Sequence, residues 1–160
     1  MKLKPLFVLS AATAAFALAA CDNKPADAPA PKVEEVEPGK TKWGAGKMLI
    51  SCPADVEKEV AKIVKGSVLT MGELRNKLAQ AHGADFTCPL TTGIFMKIIA
   101  FAAEDDRAAG REPSPYWRVV RDDWSLNEKY PGGIERQEAF LRAEGIEILV
   151  SRHKKRAKLS

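Results

Sequence analysis

Histidine and cysteine are scarce, two and three among 160 residues. His82 and His153 stand far apart, and no cysteine lies at ligand spacing from another. That excludes the common zinc motifs and leaves no cofactor implied. Long apolar runs are missing too: beyond residue 20 nothing is long enough to span a bilayer. What the chain does have is a segmented layout, with each segment suited to a different task.

The first segment, residues 1–20, has the composition of a secretory signal peptide. Lys2 and Lys4 precede the apolar stretch "PLFVLSAATAAFALAA". It ends in Leu18-Ala19-Ala20-Cys21, which resembles the bacterial lipobox. The resemblance implies that Cys21 is lipidated, becomes the new N-terminus and partners membrane lipid; a plain signal peptide is the alternative. The expected location is a cell membrane, facing the periplasm or the exterior. Residues 21–42 are rich in Pro, Ala and charge, and are expected to form a disordered tether. The folded domain is expected over 43–151, with a basic tail at 152–160.

The formal charge of +4 dissolves under this division. Setting aside two signal lysines, four basic and five acidic tether residues and five basic tail residues leaves 14 basic against 16 acidic. A domain that binds nucleic acid carries its positive excess on its own surface. Here the excess sits in the tail, which could equally meet anionic lipid.

Within the domain, Val56, Val60 and Ile63 recur at helical spacing and Lys65-Gly66 closes that helix. Thr70 and Glu73 have capping-box spacing. Leu74, Leu78 and Ala81 continue one face, and Gly83 stops it. A third helix, with Ile94, Phe95, Ile98, Ile99 and Ala102 on a broad apolar face, is expected to be the most buried. A fourth runs from about Ile134 to Glu144, followed by a short strand, "IEILV". The fold class expected is mainly α with a small β element: one winged helix-turn-helix-like domain.

The stretch "SPYWRVVRDDWSLNEKYPGG", Ser114 to Gly133, carries a resemblance. Together with "IERQEAFLRAEG" and Thr70-Met71-Gly72-Glu73, it resembles the C-terminal DNA-binding domain of alkylguanine-DNA alkyltransferases. That family has Pro-Cys-His-Arg-Val-Val, a polar turn, Gly-Gly, and a helix ending Leu-Leu-x-x-Glu-Gly. The similarity spans roughly Leu49 to Ile148. In the family the cysteine accepts an alkyl group, and the histidine, backed by a glutamate, removes the thiol proton. Here Tyr116 and Trp117 hold those two places, and the glutamate remains as Glu144. A phenol with an ordinary pKa near 10 and no adjacent base is a poor acceptor. The resemblance therefore implies a non-catalytic, alkyltransferase-like member.

The degenerate frame Pro115, Tyr116, Trp117, Arg118 and Glu144 then has two readings. It can stack against an extruded base, or its aromatics fill the former pocket and hold the domain together. The resemblance makes Thr70, Met71, Thr91, Thr92 and Lys97 the candidate DNA-facing residues. Met71 stands for the family's base-rotating tyrosine. Lys97 is the one cation near the place of its stacking arginine, and its position in the sequence suggests a turn too late. The partner classes are DNA or an envelope protein, with the chain a monomer. An exported domain meets no chromosome, which favours incoming DNA or a protein-interaction role. Outside the cytoplasm, Cys52 and Cys88 are candidates for a disulfide. Closing that 36-residue separation would stabilise by about 3–4 kcal/mol.

Overall fold

Pro53 and Pro89 each occupy the first turn of a helix, where a missing amide hydrogen costs nothing. Each follows a strand and a cysteine, and the two strands run side by side. The computed structural model describes residues 30–151 and 154–158. The signal segment and Cys21 lie outside the described residues.

The elements in order are β1 (Lys32–Val36), β2 (Gly46–Ile50), α1 (Pro53–Ala61), β3 (Leu69–Thr70), α2 (Met71–Ala81), β4 (Phe86–Thr87) and α3 (Pro89–Ala108). A single 3-10 turn (Tyr116–Arg118) leads into β5 (Val119–Val120). Then come α4 (Gly133–Ala143), β6 (Glu147–Ser151) and β7 (Lys154–Lys158). The domain is mainly α with small sheets, as the patterning predicts. β2 pairs antiparallel with β1 and parallel with β4, while β3 and β5 form a short parallel pair. α1 packs against both α2 and α3, which holds those two helices in place.

Thr70 caps α2 as its spacing predicts. Its hydroxyl accepts from the Glu73 amide at 3.2 Å, and the Glu73 carboxylate accepts the Thr70 amide at 2.7 Å. The β3–β5 register, Thr70 against Val120, sets this cap beside the Tyr116 frame. α4 starts on Gly132 with φ 72°, and a Cβ there would meet Arg136 Cβ at 2.7 Å. The Gly-Gly is therefore a steric requirement of that helix start.

Three expectations are corrected. The tether is not disordered throughout: Lys32–Val36 is a strand, and Val36 is buried in a small cluster with Met48 and Cys88. The free edge of β2 drew in a segment whose charged residues, Lys32, Glu34 and Glu35, hid its strand character. Nor is the basic tail free. β7 pairs with β6 and also bonds to the 124–126 segment, with the Leu126 amide donating to the Lys155 carbonyl at 3.0 Å and the Ala157 amide to the Trp124 carbonyl at 3.1 Å. Its lysines meet carboxylates: Lys154 with Asp123, Lys155 with Glu138 at 2.7 Å, Lys158 with Glu147 at 3.0 Å. Most of the tail's charge is spent inside the molecule.

The third correction concerns α3. Its buried face is Thr92, Met96, Ile99, Ala100 and Ala103, while Ile94, Ile98 and Ala102 face outward. The helix has apolar residues on more than one side, so periodicity alone offered two faces. The interior took the flexible Met96 and small alanines where α1 and the aromatic frame press close.

Candidate functional site

Pro115 caps the 3-10 turn that turns Tyr116 inward. Tyr116 is fully buried. Its ring makes edge-on contacts with Trp117, Tyr130 and Phe140 at centroid distances of 5.5, 5.3 and 6.5 Å. Its hydroxyl donates to Glu104 Oε1 at 2.8 Å. Burial raises the Tyr116 pKa well above the usual phenol value, and the hydrogen bond to Glu104 and its negative charge raise it further. Glu104 is held from outside by Arg136 and, at 3.7 Å, by Arg107. The guanidinium of Arg107 also lies over the rings of Trp117 and Phe140, 5.1 and 4.4 Å from their centroids.

Glu144 gathers the other half of the frame. Its carboxylate accepts the Trp117 indole N–H at 2.8 Å and Arg118 Nε and Nη2 at 2.9 Å each. It also accepts the Gly66 amide at 3.2 Å, and Arg118 Nη1 reaches the Ile63 carbonyl. Burial alone would raise the Glu144 pKa. The hydrogen bonds from Arg118, Trp117 and Gly66, with the Arg118 charge, outweigh it and hold the carboxyl below its usual range. This carboxylate is committed to an ion pair.

The surface opens on two sides of the frame, and a hollow of about 290 Å³ is lined by Pro115, Trp117 and Arg118 with Ala61 and the 112–114 segment. A groove of about 440 Å³ lies among Met71, the first turns of α3 and the 121–130 loop. Leu90, Gly93, Ile94 and Lys97 form one wall, and Arg121, Asn127, Lys129 and Tyr130 the other. It holds three cations and no acidic lining residue. Lys97 and Lys129 have no ion pair among the described residues, while Arg121 comes within 4.0 Å of Glu128. Tyr130 is buried, and its ring separates Tyr116 from the groove. Its hydroxyl lies close to the Asn127 side chain without a well-formed hydrogen bond. At the N-terminus of α2, the Gly72 amide donates to Asp122 Oδ1, and Asp122 also pairs with Arg75 at 3.0 Å.

Two solved structures resemble this fold. One is S. pombe Atl1 in complex with damaged DNA containing O6-carboxymethylguanine, at 21% identity over 68% of this chain and 87% of that one, with a TM-score of 0.46. The other is S. pombe ATL in complex with DNA, at 20% identity over 67% and 88%, with a TM-score of 0.47. No family model and no curated protein matches the chain.

Of the residues singled out in the sequence, Pro115, Tyr116, Trp117, Arg118 and Glu144 come together, with Tyr116 and Trp117 buried and the other three partly exposed. Of the DNA-facing candidates, Met71 and Lys97 line the groove. Thr92 is fully buried and donates to the Cys88 carbonyl at 2.9 Å, and Thr91 donates to the same carbonyl at 3.3 Å. Thr70 is buried in its cap. The hydroxyls of all three threonines are used within the fold. Cys52 and Cys88 are buried free thiols that stand at the starts of α1 and α3, in place of the expected disulfide. Among the described residues no cluster of three or more His, Cys, Asp or Glu could hold a metal.

The sequence reading missed Arg121, Lys129 and Tyr130, which the polar turn hides among unrelated charges. It also missed Gln137. This buried side chain donates to the carbonyls of Trp117 and Val119 at 2.9 and 3.1 Å, and accepts the Asn127 amide at 2.7 Å. An uncharged polar residue on the inner face of α4 was the signal that could have found it.

Proposed function

We propose that this chain is a non-catalytic, alkyltransferase-like domain of the DNA-binding type, carried at a membrane through a lipid on Cys21. The observation that carries the binding role is the groove, where three cations and no carboxylate line a cleft with apolar walls. A nucleic-acid strand needs cations for its phosphates and an apolar surface for a base. The motif resemblance supports the same reading. The absence of transfer chemistry follows from Tyr116. Its proton is held by burial and by Glu104, Trp117 offers no base, and Glu144 is paired with Arg118. Lys2, Lys4, the apolar run and Leu18-Ala19-Ala20-Cys21 support export and anchoring.

Titrating single- and double-stranded DNA against a chain beginning at Asp22, across a salt series, tests the reading. The expected result is affinity that falls linearly on logarithmic axes. Lys97→Glu with Lys129→Glu should flatten the slope by about 0.7–0.9 for each phosphate no longer neutralised. A Lys154→Gln, Lys155→Gln and Lys158→Gln variant, which keeps the β7 backbone, that loses all binding while the double variant keeps it would shift the DNA-binding surface to the tail. No binding at low salt would end the DNA reading. The exposed apolar side of α3 favours a second reading, an envelope interaction module with no nucleic-acid role.

A further inference from the structure

We propose that the outward face of α3 docks along an anionic lipid bilayer surface. Leu90, Ile94, Ile98 and Phe101 are 60%, 49%, 52% and 50% exposed. Their spacing of four, four and three residues puts them on one stripe, about 16 Å long at 1.5 Å per residue. From Pro89 to Ala103 the only charged residue is Lys97. Its ammonium lies 6.0 Å from the Phe101 ring centroid, at the flank of the stripe. Arg121 and Lys129 follow across the groove. An apolar stripe bordered by cations is the pattern of a helix lying in the headgroup region, with apolar side chains in the acyl boundary and ammonium groups at the phosphates.

Three features favour lipid over other occupants. In a two-fold contact between copies centred on this stripe, Lys97 would face its own counterpart with no carboxylate between them. Against DNA in the groove, only Leu90 and Ile94 would meet the ligand, while Ile98 and Phe101, which do not line it, would stay exposed. And ten residues separate Cys21 from Lys32, a reach of at most about 35–40 Å when extended, so a lipid on Cys21 would hold the start of β1 within that distance of the bilayer and raise the local concentration of lipid at the domain. This last feature rests on the anchored reading; the first two do not. Leu90, Ile94 and Lys97 also line the groove, so bilayer and DNA would compete for one face.

The test is co-flotation of the lipid-free chain beginning at Asp22, which keeps every described element. Vesicles are phosphatidylcholine with or without phosphatidylglycerol. Flotation with the anionic vesicles only is expected. Ile94→Ser with Ile98→Ser and Phe101→Ser should lower the bound fraction at least about tenfold, with the circular dichroism unchanged. Lys97→Gln, an exposed change that threatens no packing, should lower it about fivefold. The proposal is overturned if the parent chain stays with the soluble fraction, if it floats equally with both vesicle types, or if the folded variants float like the parent. A parent dimer that the triple variant converts to monomer would assign the stripe to a second copy instead. Failure here leaves the DNA titration untouched, and a DNA failure leaves this assay untouched.

Discussion

Glu144 is committed to contacts within the fold. Its side chain is only 8% exposed and accepts from Trp117, Arg118 and Gly66. Its folded pKa lies below the unfolded value, so the stability it adds is present above the ordinary carboxylate pKa. That stability is lost as pH falls through the folded pKa. Urea unfolding of the parent chain should therefore lose stability as pH falls below about 4.5, the ordinary carboxylate range. Glu144→Gln should flatten that acid limb. It should also destabilise at neutral pH by about 2–3 kcal/mol, because Arg118 stays largely buried without its counter-charge. An unchanged acid limb would assign the loss to other carboxylates.

At the scale of elements, α4 is tied to the frame by one side chain. Gln137 satisfies two carbonyls and one amide in the 117–127 segment. Gln137→Leu keeps the volume but strands all three, a loss of roughly 3 kcal/mol or more in urea unfolding. A loss under about 1 kcal/mol would mean that water replaces the amide. The same scale separates what the sequence made legible from what it hid. α1, the Thr70 cap of α2 and the Gly83 stop after it, at φ 63°, follow from local chemistry that any context would keep. The face of α3 does not, because Ile94 and Ile98 are as apolar as Met96 and Ile99, and only the partner surfaces decide between them. β1 and β7 were hidden for a related reason. "KVEEV" and "KKRAK" are charged enough to pass for solvated chain, and each becomes a strand by pairing with a neighbouring strand that offers a free edge. The frame was legible as a set of residues but not as a sealed one, since neither Glu104 nor Tyr130 stands near Tyr116 in sequence.

Over the whole molecule, charge and apolar surface have been sorted in a way composition conceals. The tail's lysines are largely answered by Asp123, Glu138 and Glu147, while the groove keeps Lys97 and Lys129 without ion pairs among the described residues. Tyr116 and Trp117, which stand where the motif departs from the family it resembles, lie inside. The cation-lined groove lies one ring away, on α3 and the 121–130 loop. Binding and the aromatic plug should therefore respond to different substitutions. The most direct measurement is the DNA affinity of Tyr116→Phe at low salt, set beside its urea midpoint. A sealed plug predicts an affinity equal to that of the parent chain and a stability lower by about 1–2 kcal/mol, from the missing bond to Glu104. An affinity that falls while the midpoint holds would put the Tyr116 hydroxyl against the ligand and contradict the account.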